Sequence, residues 1–235
     1  MSNEVININD VKVIASALKE LKEQVVFVGG SILILYINES GAENVRQTMD
    51  IDFTLKLNNY KYFSEFQNRL SQLGFQPDPF GHSINSYKYK NIPVDIMLAV
   101  DSPLGPCNRW YQKGFSSTQE ITIEGETIQI FSAPYFLATK FEAYNNRGKE
   151  IKTSHDFEDI IYVINNRDDI VDDIAKTDAE VRQFLKTEIK KLLSNKLIEE
   201  ILSYHIVPSD FEYRYPLVLE KLKKIAYLRP LNKNR

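Results

Sequence analysis

The chain changes character near residue 132, and that change limits its fold more than any other feature. Upstream, short β-branched runs alternate with helical patterns. Downstream, apolar residues recur at helical spacing almost without interruption. Such a sequence predicts an α/β fold, with a mixed β-sheet flanked by helices over residues 1–132 and a C-terminal helical bundle over 133–235. With 235 residues, 43% of them hydrophobic, the chain has enough apolar material for one large core or two smaller ones.

The pattern places the elements. Val11, Ile14, Leu18 and Leu21 mark an opening helix behind Asn9 as its cap, and Val25–Val28 reads as a buried strand. Gly29-Gly30-Ser31 follows at once and leads into a helical segment to Ile37. After a loop around Gly41 come a strand over Ile51–Leu55 and a helix from Tyr60 to Leu73 ended by Gly74. Ile84–Tyr89 and Ile92–Leu98 read as a hairpin joined at Asn91. Asp101–Ser117, with two prolines and two glycines, reads as a long loop. Ile121–Ile123 and Thr127–Phe131 pair again across Glu124-Gly125-Glu126. Helices are expected over 134–145, 154–165, 179–194, 196–204 and 211–227, with Pro216 near a helix start or at a kink.

Composition excludes several classes. A single cysteine, Cys107, forbids an intramolecular disulfide and a cysteine zinc cluster, and His82, His155 and His205 show no ligand spacing. The amino terminus has neither a basic region nor an apolar core of a secretory signal, and the longest apolar run, Ile32–Ile37, is too short for a bilayer. No membrane partner and a cytoplasmic location are the expectation. The net charge of −3 counts against a dedicated nucleic-acid binder, but it is unevenly spread. Residues 181–235 carry 12 Lys and Arg against 6 Asp and Glu, whereas the remainder carries 17 against 26. The basic tail is an exposed helix surface or a place where RNA or an acidic partner protein docks.

Three groups of residues can carry chemistry. Gly29-Gly30-Ser31 between strand and helix offers free backbone N–H groups and a hydroxyl to phosphate oxygens, although two glycines also serve simply to turn a strand into a helix. Asp50 and Asp52 flank Ile51 at the head of a strand, so they share a face and sit close enough to hold one divalent cation. In solvent, the same Asp-x-Asp needs no cation. Asp95 lies in the otherwise apolar strand Ile92–Leu98, where it needs a cation, a hydrogen-bond donor or an exposed position. If the two strands are neighbours, three carboxylates converge, and such hard oxygen donors suit Mg²⁺ or Mn²⁺ completed by substrate phosphates. Arg109-Trp110-Tyr111 reads as a packing anchor or as a platform for a base.

Taken in order, VVFVGGS, TMDIDF and IPVDIM resemble the nucleotidyltransferase superfamily with the DNA polymerase β type of core. The resemblance implies a nucleotidyltransferase-type sheet, a glycine turn for the triphosphate of an NTP and three carboxylates for two metal ions. Further residues narrow it: Arg46-Gln47-Thr48-Met49-Asp50 ahead of the acidic pair, then Ser132–Ala143 with Lys140, Arg147-Gly148-Lys149, and His155-Asp156-Phe157-Glu158-Asp159-Ile160. These are similar to the AbiEii family, the toxin component of abortive-infection toxin–antitoxin pairs, over residues 20–165. His155 stands where that family commonly has lysine.

The resemblance implies that Asp50, Asp52 and Asp95 bind metal, and that Lys140 and Asp156 act in catalysis or nucleotide positioning. It also implies that Gly29, Gly30, Ser31, Arg46, Thr48 and Lys140 hold the nucleotide. Read without it, Lys140 is a solvated helix lysine and Asp156 a helix-start residue. The activity implied is metal-dependent transfer of a nucleoside monophosphate to an acceptor hydroxyl, on RNA such as tRNA or on a protein, with an antitoxin protein as a possible partner. Two other readings remain open at this point: transfer to a small molecule of the aminoglycoside type, and a catalytically silent nucleotide-binding module acting through a partner protein.

Overall fold

The computed structural model of the chain describes residues 5–38, 45–56, 60–101, 107–147 and 150–229. The chain divides into two compact units, Met1–Leu35 with Arg46–Ser132, and Tyr36–Val45 with Ala133–Arg235.

In the first unit, the described strands form one mixed sheet. They are β1 (Val25–Val28), β2 (Ile51–Leu55), β3 (Phe75–Pro77), β4 (Ser86–Tyr89), β5 (Ile92–Met97), β6 (Thr118–Ile123) and β7 (Glu126–Phe131). Their order is β3-β4-β5-β2-β1-β7-β6. β2 runs parallel to β5 and β1 parallel to β7, while the other neighbours are antiparallel. β1 and β2 lie inside the sheet, which is why β1 is apolar on both faces with every residue buried, while β2 is apolar on the face of Ile51, Phe53 and Leu55 and carries Asp52 and Thr54 on the other. Helix α1 (Ile8–Leu18) buries Val11, Ile14, Ala15 and Leu18 and packs against β7. Helix α2 (Tyr60–Gln72) brings Phe66 edge-on to Phe53 at 6.3 Å, and Phe53 meets Phe27 at 6.0 Å. Each such fully buried ring stabilises the unit by roughly 1.5–3 kcal/mol.

Several local expectations are corrected. The cap of α1 is Asn7, whose side chain accepts from the Asn9 and Asp10 N–H groups while the Asp10 carboxylate accepts from the Asn7 N–H at 2.8 Å. That reciprocal pair makes a capping box, which Asn9 lacks the acidic partner to form. The stretch read as a long loop contains α3 (Arg109–Gly114), capped by Asn108 and continued by a 3-10 turn over Phe115–Ser117, and its residues 102–106 lie outside the described ones. β3 is an added edge strand, and β4 begins at Ser86, leaving Ile84 in the preceding loop. The β6–β7 hairpin turns at Glu124 (φ 44°) and Gly125 (φ 93°), the two positive φ values that a tight hairpin connection requires.

The second unit is helical: α4 (Ala133–Arg147), α5 (His155–Asn166), α6 (Ile170–Lys176), α7 (Ala179–Leu193), α8 (Ile198–Ser203) and α9 (Phe211–Ala226). α4 packs on α5 and α7, and α9 closes over α5, α6 and α7. The sequence reading omitted α6. Pro216 lies inside α9 and withholds the N–H that would otherwise bond the Glu212 carbonyl. Among the described residues, no helix is long and apolar enough to cross a membrane.

Candidate active site

Strand register builds a row of residues across four strands. Val28 of β1 opposes Asp52 of β2, Asp52 opposes Asp95 of β5, and Asp95 opposes Ser86 of β4. Directly opposed residues share a face of a sheet, so Asp52 and Asp95 project to the same side. Asp50, one residue ahead of β2, completes the group: one carboxylate oxygen from each of Asp50, Asp52 and Asp95 lies within 4.8 Å of the other two. The approach to Asp50 is fixed on both sides. Thr48 Oγ1 donates to Asp50 Oδ1 at 3.1 Å, and the Thr48 carbonyl accepts from the Ile6 N–H at 3.0 Å.

The glycine turn leaves β1 beside this group. Gly29 has φ +78°, and a Cβ there would overlap the Asp52 carboxylate. A Cβ on Gly30 would overlap the Arg46 guanidinium. Gly29 is required for its left-handed backbone and its close approach to Asp52, whereas a side chain at Gly30 would displace the end of Arg46. Ser31 is buried, and its Oγ has no hydrogen-bond partner among the described residues. Gly29→Ala is expected to displace the Asp52 carboxylate and to cost about 1–2 kcal/mol in backbone strain. The check is a lower melting temperature accompanied by weaker divalent-cation binding in titration calorimetry.

Burial raises the pKa of Asp95 above the ordinary carboxylate range, and the neighbouring charge of Asp50 adds to the effect. The hydrogen bond from Ser86 and the nearby His82 oppose it. Three hard oxygen donors with a like-charge conflict fit a divalent cation, which relieves the repulsion that raises the pKa. Without cation, a raised folded-state pKa means that stability is full below the unfolded-state pKa and is lost as pH rises through the folded value. Asp95→Asn in chelator is thus expected to melt at a higher temperature than the wild type at neutral pH. The two should converge in acid, as thermal melts across pH will show.

Lys140 and Asp156 belong to the second unit and form a different arrangement. Lys140 is 8% exposed. Its Nζ pairs with Asp159 Oδ2 at 2.6 Å and with Asp156 Oδ1 at 3.2 Å, and Arg147 donates to Asp156 Oδ2 at 2.8 Å. The cluster ties α4 to α5. Ser154, not Asp156, caps α5, its Oγ accepting from the Phe157 N–H at 3.3 Å. Lys140 is therefore not a solvated helix lysine, and its ammonium is already engaged by two carboxylates.

Sequence reasoning missed Asp159, which is 0% exposed and makes the shorter contact to Lys140. Its three-residue spacing from Asp156 on one helix face was the available signal. Ser86, the partner of Asp95, had no signal beyond its place in a hairpin. Trp110 is buried, and Tyr111 stacks on Phe131 at 6.1 Å, so both rings anchor packing. His205 contacts the Ile151 carbonyl and His155 faces Glu158, and among the described residues the acidic triad is the group that could hold a metal, with no histidine in it. Gly41, Gly148 and Lys149 lie outside the described residues.

A mixed sheet that ends in a glycine turn and an acidic triad is the framework of a nucleotidyltransferase. A model of the AbiEii nucleotidyl transferase toxins of type IV toxin–antitoxin systems matches residues 13–212, which is 200 of the 235 residues. The chain belongs to the AbiEii family. A solved structure of an antigenic nucleotidyltransferase-like protein from Paracoccidioides brasiliensis is similar at 17% identity, covering 89% of this chain and 100% of that one with a TM-score of 0.49. No curated protein matches the chain.

Proposed function

We propose that the chain transfers the nucleoside monophosphate of an NTP to a hydroxyl of RNA or protein and acts as the toxin of a toxin–antitoxin pair. The observation that carries this reading is the register of β2 against β5, which brings Asp50, Asp52 and Asp95 to one point beside the Gly29-Gly30 turn. In the reaction, the acceptor oxygen bonds to the α-phosphorus, the bond from that phosphorus to the bridging oxygen of the β-phosphate breaks, and pyrophosphate leaves. Asp95, opposite Asp52 in the register and hydrogen-bonded by Ser86, takes the proton of the acceptor hydroxyl. Gly29 and Gly30 let the triphosphate approach the backbone, and Thr48 holds Asp50 in place. Arg46, packed over Gly30, supplies positive charge to the phosphates, with Ser31 beneath.

Asp50, Asp52 and Asp95 would hold Mg²⁺ or Mn²⁺, and a cation there stabilises the attacking and leaving oxygens of an in-line displacement. Lys140 and Asp156 take the catalytic or nucleotide-positioning role that the family resemblance implies for them. A lysine so engaged reaches phosphate only by exchanging a carboxylate for it. An antitoxin partner follows from the family.

Purified protein incubated with each labelled NTP, Mg²⁺, and total tRNA or no acceptor tests the reading. Label on tRNA or on protein is the expected outcome. Retention of all label in the NTP under every condition overturns it.

A further inference from the structure

Between β3 and β4 the chain makes a loop that is held from several sides yet leaves its large apolar side chains in solvent. Phe80 is 92% exposed and Ile84 74%. The loop is fastened by Asp78, whose Oδ1 accepts from the Phe80 N–H at 3.1 Å and whose Oδ2 pairs with Lys88 at 2.8 Å. The Asp78 N–H bonds the Ser86 carbonyl at 2.8 Å, and Ser86 Oγ accepts from the Ser83 N–H at 2.9 Å. Gly81 lies so close to Ser86 that a Cβ would overlap its side chain. Ser86 is the residue that opposes and hydrogen-bonds Asp95. A backbone so restrained holds Phe80 in solvent for a reason other than packing, in a loop that runs into Ser86, which bonds a carboxylate of the acidic triad.

We infer that this loop is the acceptor-recognition element, and that the Phe80 ring stacks on a nucleobase of an RNA acceptor whose hydroxyl is thereby brought to Asp95. The inference rests on the transfer activity proposed above and commits it to one acceptor class. Two observations favour RNA over polypeptide. Residues 75–92 carry Lys88 and Lys90 against a single acid, Asp78, within an otherwise acidic stretch of chain, which suits a phosphate backbone. The adjoining sheet edge, β3, is only three residues long and ends in Pro77, so it offers a poor template for an added peptide strand. An aromatic face held in the open binds any base, which is how single-stranded nucleic acid is gripped without sequence choice.

The test uses the full chain and a short RNA whose 3′-terminal base is 2-aminopurine, a fluorophore quenched by stacking. Wild type is expected to quench it, Phe80→Ala to lose the quenching, and Phe80→Trp to regain it. In transfer assays Phe80→Ala is expected to raise the KM for RNA by about 5- to 150-fold with the KM for NTP unchanged. An RNA ending in an abasic nucleotide should make wild type and Phe80→Ala equal. Quenching by Phe80→Ala equal to wild type overturns the inference, as does the absence of quenching in wild type. Label appearing on protein alone overturns it too, while leaving nucleotidyl transfer standing. Quenching that depends on Phe80 in a protein that transfers nothing would refute the transfer activity and leave the stacking site in place. Because Phe80 is exposed, circular dichroism should be unchanged in these variants.

Discussion

Asp52→Ala is expected to lower nucleotidyl transfer by at least about 10²–10³-fold, the loss that follows removal of one preorganised electrostatic group from an active site. Circular dichroism should be unchanged. Asp52 is the hinge of the cross-strand row: Asp95 lies opposite it on one side, Val28 on the other, and Gly29 fits against its carboxylate. Removing it deletes one carboxylate of the acidic group, while the apolar packing of β2 comes from Ile51, Phe53 and Leu55. Asp52→Asn keeps the volume and should fail equally, because a neutral amide does not supply the anionic oxygen that the centre requires. Full transfer by either variant, assayed with labelled NTP and Mg²⁺, would sink the assignment of this centre.

The second large effect is expected at Lys140→Met. Deleting the cation takes from Asp159, which is 0% exposed, its 2.6 Å ion pair, and removes one of the two cations that pair with Asp156. Breaking a buried ion pair from one side typically costs about 3–5 kcal/mol, because the stranded charge has lost its compensation. In a chain of this size that is a fall in melting temperature on the order of 10 °C. Replacing both partners, Lys140→Met with Asp159→Leu, is expected to recover much of that stability, since no isolated charge remains. The pair of variants separates two roles for Lys140. If the double variant is stable but does not transfer label, the ammonium also serves the nucleotide. If stability and transfer return together, Lys140 is solely a structural tie between α4 and α5.

Much of the site could be read from sequence because its parts are local. A β-branched run meeting Gly-Gly, an Asp-x-Asp at a strand head and one acid inside an apolar strand each announce themselves within a few residues. The contact between them depended on strand order, which periodicity does not encode, and the parallel pairing of β2 with β5 supplied it. The helical cluster was harder to read. Lys140 looked like one of many helix lysines, and only the packing of α4 on α5 shows that Asp159 closes on it. The misread elements share a cause, strong local signals that masked weaker true ones. Prolines and glycines around residues 103–106 hid the Asn108 cap of α3, the acids Asp168, Asp169, Asp172 and Asp173 disguised α6, and Pro77 hid β3, which tolerates it at the sheet edge. Ile84 was taken into a strand by its hydrophobicity, although the structure leaves it in solvent.

The parallel pairings have a consequence for how such a chain is made. Asp52 finds Asp95 only once β5 exists, and β1 is flanked on its other side only by β7, through Phe27 opposite Ile130. A ribosome that has produced the glycine turn and the Asp-x-Asp has therefore made two-thirds of the acidic triad and none of its geometry. A prematurely ended product lacking β5 therefore carries Asp50 and Asp52 without Asp95 and cannot assemble the acidic group.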